Sequence, residues 1–221
     1  KEYEDETNLR AYLLLDASAS MNYASDGITK FDYACTLTAS LAYLILKQQD
    51  AAGVVTFSDR IEAFIPPRAK RDYLTQILHA LENRGPGGET NVGKILDHIA
   101  AQVKRRGLIV LVSDLLDEPA EILKGLRQFR FKGNDVIVFH LMDPAELNLP
   151  FDGNILFEDL EADNLRVVTD PRVIRATYRQ VVNEFISDLR QQCHDNAIDY
   201  QLISTATPLD RALASYLSWR A

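Results

Sequence analysis

Short apolar runs alternate along this chain with longer segments of helical period. Residues 11–15 (AYLLL), 53–57 (GVVTF), 108–112 (LIVLV), 135–141 (DVIVFHL) and 198–203 (IDYQLI) read as strands, several of them apolar enough to be buried on both faces. Residues 60–65 (RIEAFI) alternate and are expected to pair with 53–57 as an edge hairpin that Pro66 and Pro67 stop. Helices are predicted over 31–48, 71–83, 91–104, 119–131, 173–193 and 208–219, the first of them apolar on most sides and therefore buried. Residues 154–157 (NILF) and 165–168 (LRVV) flank the acidic stretch EDLEADN, which predicts a small hairpin insertion over 151–170. Its acidic tip, 158–163, reads as a solvated turn or a contact for a partner.

Strands alternating with helices predict an α/β sandwich with a mostly parallel, six-stranded central sheet and helices on both faces. Ligands of such sheets bind at the carboxyl ends of the strands, where the strand order reverses. With right-handed crossovers the expected order is 3-2-1-4-5-6, which makes the strand ending at Asp16 the neighbour of the strand ending at Asp114.

Length and balance fit one domain over 1–221: the chain has 221 residues, 47% hydrophobic and 25% charged. It opens on Lys1 in place of an initiator Met, so it is expected to be a fragment of a longer protein. The net charge of −8 argues against nucleic acid or an anionic membrane as a partner and is compatible with a cation site. No apolar run approaches the length of a membrane span, and no signal peptide is visible, so direct membrane contact by this segment is not expected. Cys35 and Cys193 belong to no C-x-x-C motif and read as reduced thiols, which places the chain in the cytoplasm.

Three segments deliver oxygen ligands where strands end or helices start. Asp16, Ser18 and Ser20 follow the first strand, with small Ala17 and Ala19 between them. Alternate side chains of an extended turn point the same way, so these three can converge on one point. Thr90 lies in GGETN before a helix, and Asp114 follows LIVLVS. Carboxylate and hydroxyl oxygens suit Mg²⁺, with Mn²⁺ or Ca²⁺ as alternatives. The plainer readings are that Asp16 and Ser18 cap a helix, that Thr90 caps the helix from residue 91, and that Asp114 is a turn residue before Pro119.

The order D-x-S-x-S, Thr in a Gly-rich loop, Asp ending a buried strand resembles the metal-ion-dependent adhesion site of von Willebrand factor A domains. The opening KEYEDETNLRAYLLLDASASM further resembles bacterial proteins of the domain of unknown function family 58. The resemblance implies a von Willebrand factor A-like (Rossmann-like) three-layer sandwich acting as a divalent-metal-dependent protein-interaction module, with no catalysis. It implies that Ser18 and Ser20 bind the metal directly and that Thr90 does so directly or through water. Asp16 and Asp114 would act mainly through water and hydrogen bonds. One coordination position would remain for an acidic side chain of a protein partner, and a MoxR-type AAA+ ATPase is the partner the family suggests. Many such domains carry Gly after the last Asp; here Leu115 follows, with Asp117 near.

Two other readings stay open. A metal-dependent phosphohydrolase could use Asp16 as nucleophile, although Ser18 stands where a second Asp is needed as acid/base. A structural domain with a vestigial site would use none of these residues. GPGGET lacks the G-K-[ST] ending of a phosphate loop, and no G-x-S-x-G elbow surrounds either serine. His79, His98, His140 and His194 form no zinc motif, and only His140, inside a strand, invites a site role.

Overall fold

The computed structural model describes residues 9–70, 72–82, 87, 92–158, 160 and 166–220, with side chains to Ala214. Strand β1 (Arg10–Asp16) is followed by a 3₁₀ turn (Ala19–Asn22) and helix α1 (Lys30–Lys47). Strands β2 (Ala51–Phe57) and β3 (Ile61–Arg68) form a hairpin, followed by α2 (Tyr73–Glu82) and α3 (Val92–Gln102). Then come β4 (Leu108–Ser113), α4 (Pro119–Phe131), β5 (Asp135–Met142) and the short α5 (Pro144–Asn148). Strands β6 (Ile155–Glu158) and β7 (Arg166–Thr169) form the expected second hairpin. Helix α6 (Pro171–Asp195), β8 (Asp199–Ser204) and α7 (Leu209–Arg220) complete the chain.

The six-stranded sheet has the order β3-β2-β1-β4-β5-β8, which is the expected 3-2-1-4-5-6 once the β6–β7 hairpin is set aside. All its pairings are parallel except β2 with β3. Helices α1, α2 and α7 cover one face, where Leu13, Leu15, Val110, Val112 and Phe139 point. Helices α3, α4 and α6 cover the other, over Tyr12, Leu14, Leu111 and Val138. Adjacent residues of β1 thus feed two separate cores, which is why the central strands are apolar without alternation.

Two expectations are corrected. Pro66 and Pro67 do not stop β3, which runs on to Arg68. Because β3 is an edge strand, a missing N–H there can face outward at no cost to the ladder. The register also slips between Ala52 and Val54, opposite the prolines. Gly53 makes this bulge fit: a Cβ on it would lie 2.4 Å from the Ile65 carbonyl oxygen and 2.6 Å from the Pro67 nitrogen. Both are backbone atoms, so relief requires the hairpin to move. Gly53→Ala should therefore lower the unfolding free energy by about 1–2 kcal/mol, read from urea denaturation; an unchanged midpoint would show that the hairpin yields freely. The second correction is α5, where the sequence reading placed no element. Asp143 caps it, with Pro144 in the first turn and Glu146 closing a capping box.

Candidate metal centre

The four described site residues all sit where β1 and β4 end, side by side at the middle of the sheet. Leu15 pairs in register with Val112, so Asp16 and Ser113 finish neighbouring strands at the same level. Ser113 Oγ donates to Asp16 Oδ2 at 2.6 Å, and the Ser18 N–H donates to Asp16 Oδ1 at 2.9 Å. Ser18 Oγ and Ser20 Oγ lie 3.1 Å apart. The alternate-position convergence read from the sequence is therefore met. The capping alternative is not: Ser18 precedes the 3₁₀ turn, yet its side chain caps nothing there, and α1 is capped by Thr29 through the Asp32 N–H. Asp114 does lie in a turn before Pro119, where its Oδ1 accepts the Leu116 N–H at 3.3 Å.

Asp16 and Ser18 are 0% exposed, Asp114 1% and Ser20 6%, so Ser20 is the outermost of the set. Burial, and then the charge of Asp114, push the Asp16 carboxyl up to about 7, against the hydrogen bonds from Ser113 and Ser18. Thr90 lies outside the described residues. In the loop before it Gly87 is described, and its N–H donates to the Ala17 carbonyl at 2.9 Å.

Leu115, where a glycine was noted as missing, has φ +54°. It adopts the left-handed conformation that glycine would take, at a cost of about 1–2 kcal/mol. Its side chain is 1% exposed in the α3/α4 core, and its N–H donates to Ser113 Oγ at 2.9 Å. Packing thus offsets the backbone strain that the turn after Asp114 requires.

Sequence reasoning missed Lys30. This first residue of α1 is 0% exposed, and its Nζ donates to Asp114 Oδ2 at 2.7 Å and to Glu146 Oε1 at 2.5 Å. It also lies 5.8 Å from the centroid of the Tyr23 ring. Burial opposes its charge, but Asp114 and Glu146 outweigh burial and hold it above the usual lysine range. Glu146 is fixed in turn, since its Oε2 accepts the Asp143 N–H at 2.8 Å. Asp143 accepts from Ser25 through both its N–H and its hydroxyl.

His140 pairs in register with Ser113 and is fully buried. Its Nδ1 lies 2.5 Å from the Tyr200 hydroxyl. Burial pushes it down to about 4, although the nearby Asp114 charge works the other way. His140 is therefore a neutral residue behind the site. The remaining histidines do not join it: His79 pairs with Glu82 and His194 with Asp195, both on exposed surface, and His98 is exposed on α3.

The donor set fits a hard cation. Two adjoining serine hydroxyls face one point, flanked by two carboxylates at the ends of adjacent strands. Among the described residues no three His, Cys, Asp or Glu come together as a ligand group, so a cation here depends on the serine hydroxyls.

This sheet order, with helices on both faces and D-x-S-x-S at the end of the central strand, defines a von Willebrand factor A-like domain. The chain belongs to the family described as "Protein of unknown function DUF58", whose model matches residues 1–185. An uncharacterized protein of Mycobacterium tuberculosis (strain ATCC 25618 / H37Rv) is 24% identical over 161 residues, which are 72% of this chain and 50% of that protein. The chain thus spans about half the length of this relative. Among solved structures, the conserved hypothetical protein BatB from Bacteroides thetaiotaomicron is similar, with TM-score 0.64 and 16% identity over 96% of this chain and 98% of that one. The SpRpn10 VWA domain superposes with TM-score 0.52 and 9% identity over 93% of each chain. Likenesses at these identities establish the fold. Among the described residues no helix is long and apolar enough to cross a membrane.

Proposed function

We propose that this chain is a protein-interaction module whose contact with its partner depends on a divalent ion held by Ser18, Ser20 and Thr90, with Asp16 and Asp114 behind them. The observation that carries this reading is the meeting of Asp16, Ser18, Ser20 and Asp114 at the carboxyl ends of two adjacent strands. Mg²⁺ is the expected ion, with Mn²⁺ or Ca²⁺ able to replace it. When bound, the ion supplies a position that accepts a carboxylate from the partner. The chain's own residues do the rest. The Ser18 N–H and the Ser113 hydroxyl fix Asp16, and the turn after β1, tied to β2 by the Ala17 N–H donating to the Phe57 carbonyl, holds the two serine hydroxyls side by side.

The family association supports a MoxR-type AAA+ ATPase as the partner system, acting in the cytoplasm. In keeping with a reducing compartment, Cys35 and Cys193 are free and pack on opposite faces of the sheet. A non-catalytic role is favoured over phosphoryl transfer through Asp16. Both oxygens of Asp16 are engaged by hydrogen bonds and its side chain is fully buried, an arrangement that suits holding rather than attack.

Calorimetric titration with Mg²⁺ and Mn²⁺ tests the site. The Ser18→Ala/Ser20→Ala variant should bind at least tenfold more weakly than the wild type. Equal affinities in the two proteins would remove these residues from the site.

A further inference from the structure

Lys30 has no place in the ligand set just described, yet it is the most costly residue near it. A fully buried ammonium is expensive unless closely paired. Lys30 is also the first residue of an 18-residue helix, where the positive end of the helix dipole disfavours a cation. Both penalties are met by two carboxylates from distant parts of the chain, at 2.7 Å and 2.5 Å. One of these belongs to the site. Asp114 Oδ2 is committed to Lys30, while among the described residues Asp114 Oδ1 accepts only a long bond, 3.3 Å, from the Leu116 N–H.

We propose that Lys30 is a resident cation of this centre, a specificity-determining residue that limits how strongly the Asp16–Asp114 crevice attracts a divalent ion. The inference rests on the metal-site reading above. Asp114 carries its own positive partner before any ion arrives. An incoming ion therefore shares Asp114 with an ammonium, and like charges on one buried carboxylate repel. Glu146 moderates this. It draws part of the Lys30 interaction away from Asp114, and the capping box keeps it in place. The centre is thereby set to bind its ion weakly when alone. Firm binding then requires the further negative charge that a partner's carboxylate brings, which makes ion and acidic partner cooperative ligands.

The test is Mn²⁺ titration of the full chain, by calorimetry or by the electron paramagnetic resonance of the free ion. It is run on the wild type, Lys30→Met, Glu146→Gln and the Lys30→Met/Glu146→Gln double variant. Lys30→Met should bind Mn²⁺ at least tenfold more tightly than the wild type. Glu146→Gln leaves the ammonium wholly on Asp114 and should bind several-fold more weakly. The double variant removes one charge of each sign, so it keeps the inference testable if Lys30→Met does not fold. It should bind at least tenfold more tightly than Glu146→Gln. Melting temperature gives a second readout: Mn²⁺ should raise it more in the variants lacking Lys30 than in the wild type. If the wild type binds and loses binding on Ser18→Ala/Ser20→Ala, but removal of Lys30 leaves the affinity unchanged or weaker, the role of Lys30 is overturned and the site stands. If none of the proteins binds Mn²⁺, both fall.

Discussion

Asp114→Ala should retain roughly tenfold more affinity for an acidic partner than the wild type does in chelator, although both lose the ion. Chelated wild type leaves Asp114 and Glu146 around the single ammonium of Lys30, with the Asp16 carboxyl beside Asp114. A partner carboxylate brought to that cluster, with partial loss of solvent, meets net repulsion. Its affinity should fall by about a hundredfold or more relative to the Mg²⁺-loaded protein. Removing Asp114 also loses the ion, but it deletes one of the repelling charges and leaves Lys30 balanced by Glu146 alone. The measurement is binding of a partner recovered by Mg²⁺-dependent pull-down, in three conditions: wild type with Mg²⁺, wild type with chelator, and Asp114→Ala. Equal binding with and without Mg²⁺ would reject metal-dependent docking. Asp114→Ala falling below chelated wild type would show that Asp114 holds the interface by structure rather than by charge.

Much of this arrangement was legible because it is local. The doubly buried strands announce themselves as unbroken apolar runs, and the D-x-S-x-S spacing fixes Asp16, Ser18 and Ser20 on one side of a turn within five residues. Adjacency of the Asp16 and Asp114 strands followed from handedness and the requirement that both reach one point. What escaped was set by contacts distant in sequence. Lys30 meets Asp114 across 84 positions and Glu146 across 116, and Ser113 meets Asp16 across 97. A lysine ahead of an apolar helix reads as a solvated residue; nothing local marks it as buried. The run past Pro66 and Pro67 depended on Gly53 opposite them in the neighbouring strand. Helix α5 is different, because its signal was present: Asp143-Pro144-Ala145-Glu146 is an N-cap, a first-turn proline and a capping-box glutamate in order. That pattern would have placed Glu146 at a fixed helix start, though not beside Lys30.

His140 should make the chelated protein lose stability on acidification, by about 3 kcal/mol in total between pH 6.5 and 4. The sign follows from its burial. Free in the unfolded chain, its imidazole takes a proton near 6.5; folded, it does so only near 4. Across that window the unfolded state binds more protons, so stability is complete above 6.5 and drains away as the pH falls to 4. Asp16 acts in the opposite direction. Its carboxyl is held up to about 7 in the folded chain, against an ordinary value of 3.8. The folded state then binds the extra proton, and stability falls as pH rises through that range. The two slopes oppose each other, so the wild type should look nearly indifferent to pH although two buried groups are titrating. His140→Gln separates them, since glutamine stays neutral and can still meet the Tyr200 hydroxyl that now lies 2.5 Å from Nδ1. In chelator, urea unfolding of His140→Gln should show stability rising steadily as the pH is lowered from 7 towards 4.5, with the Asp16 contribution left uncovered. Parallel curves for His140→Gln and wild type would mean that His140 takes up its proton at the same pH in the folded and unfolded chain, and that its burial between Ser113 and Tyr200 does not hold it neutral.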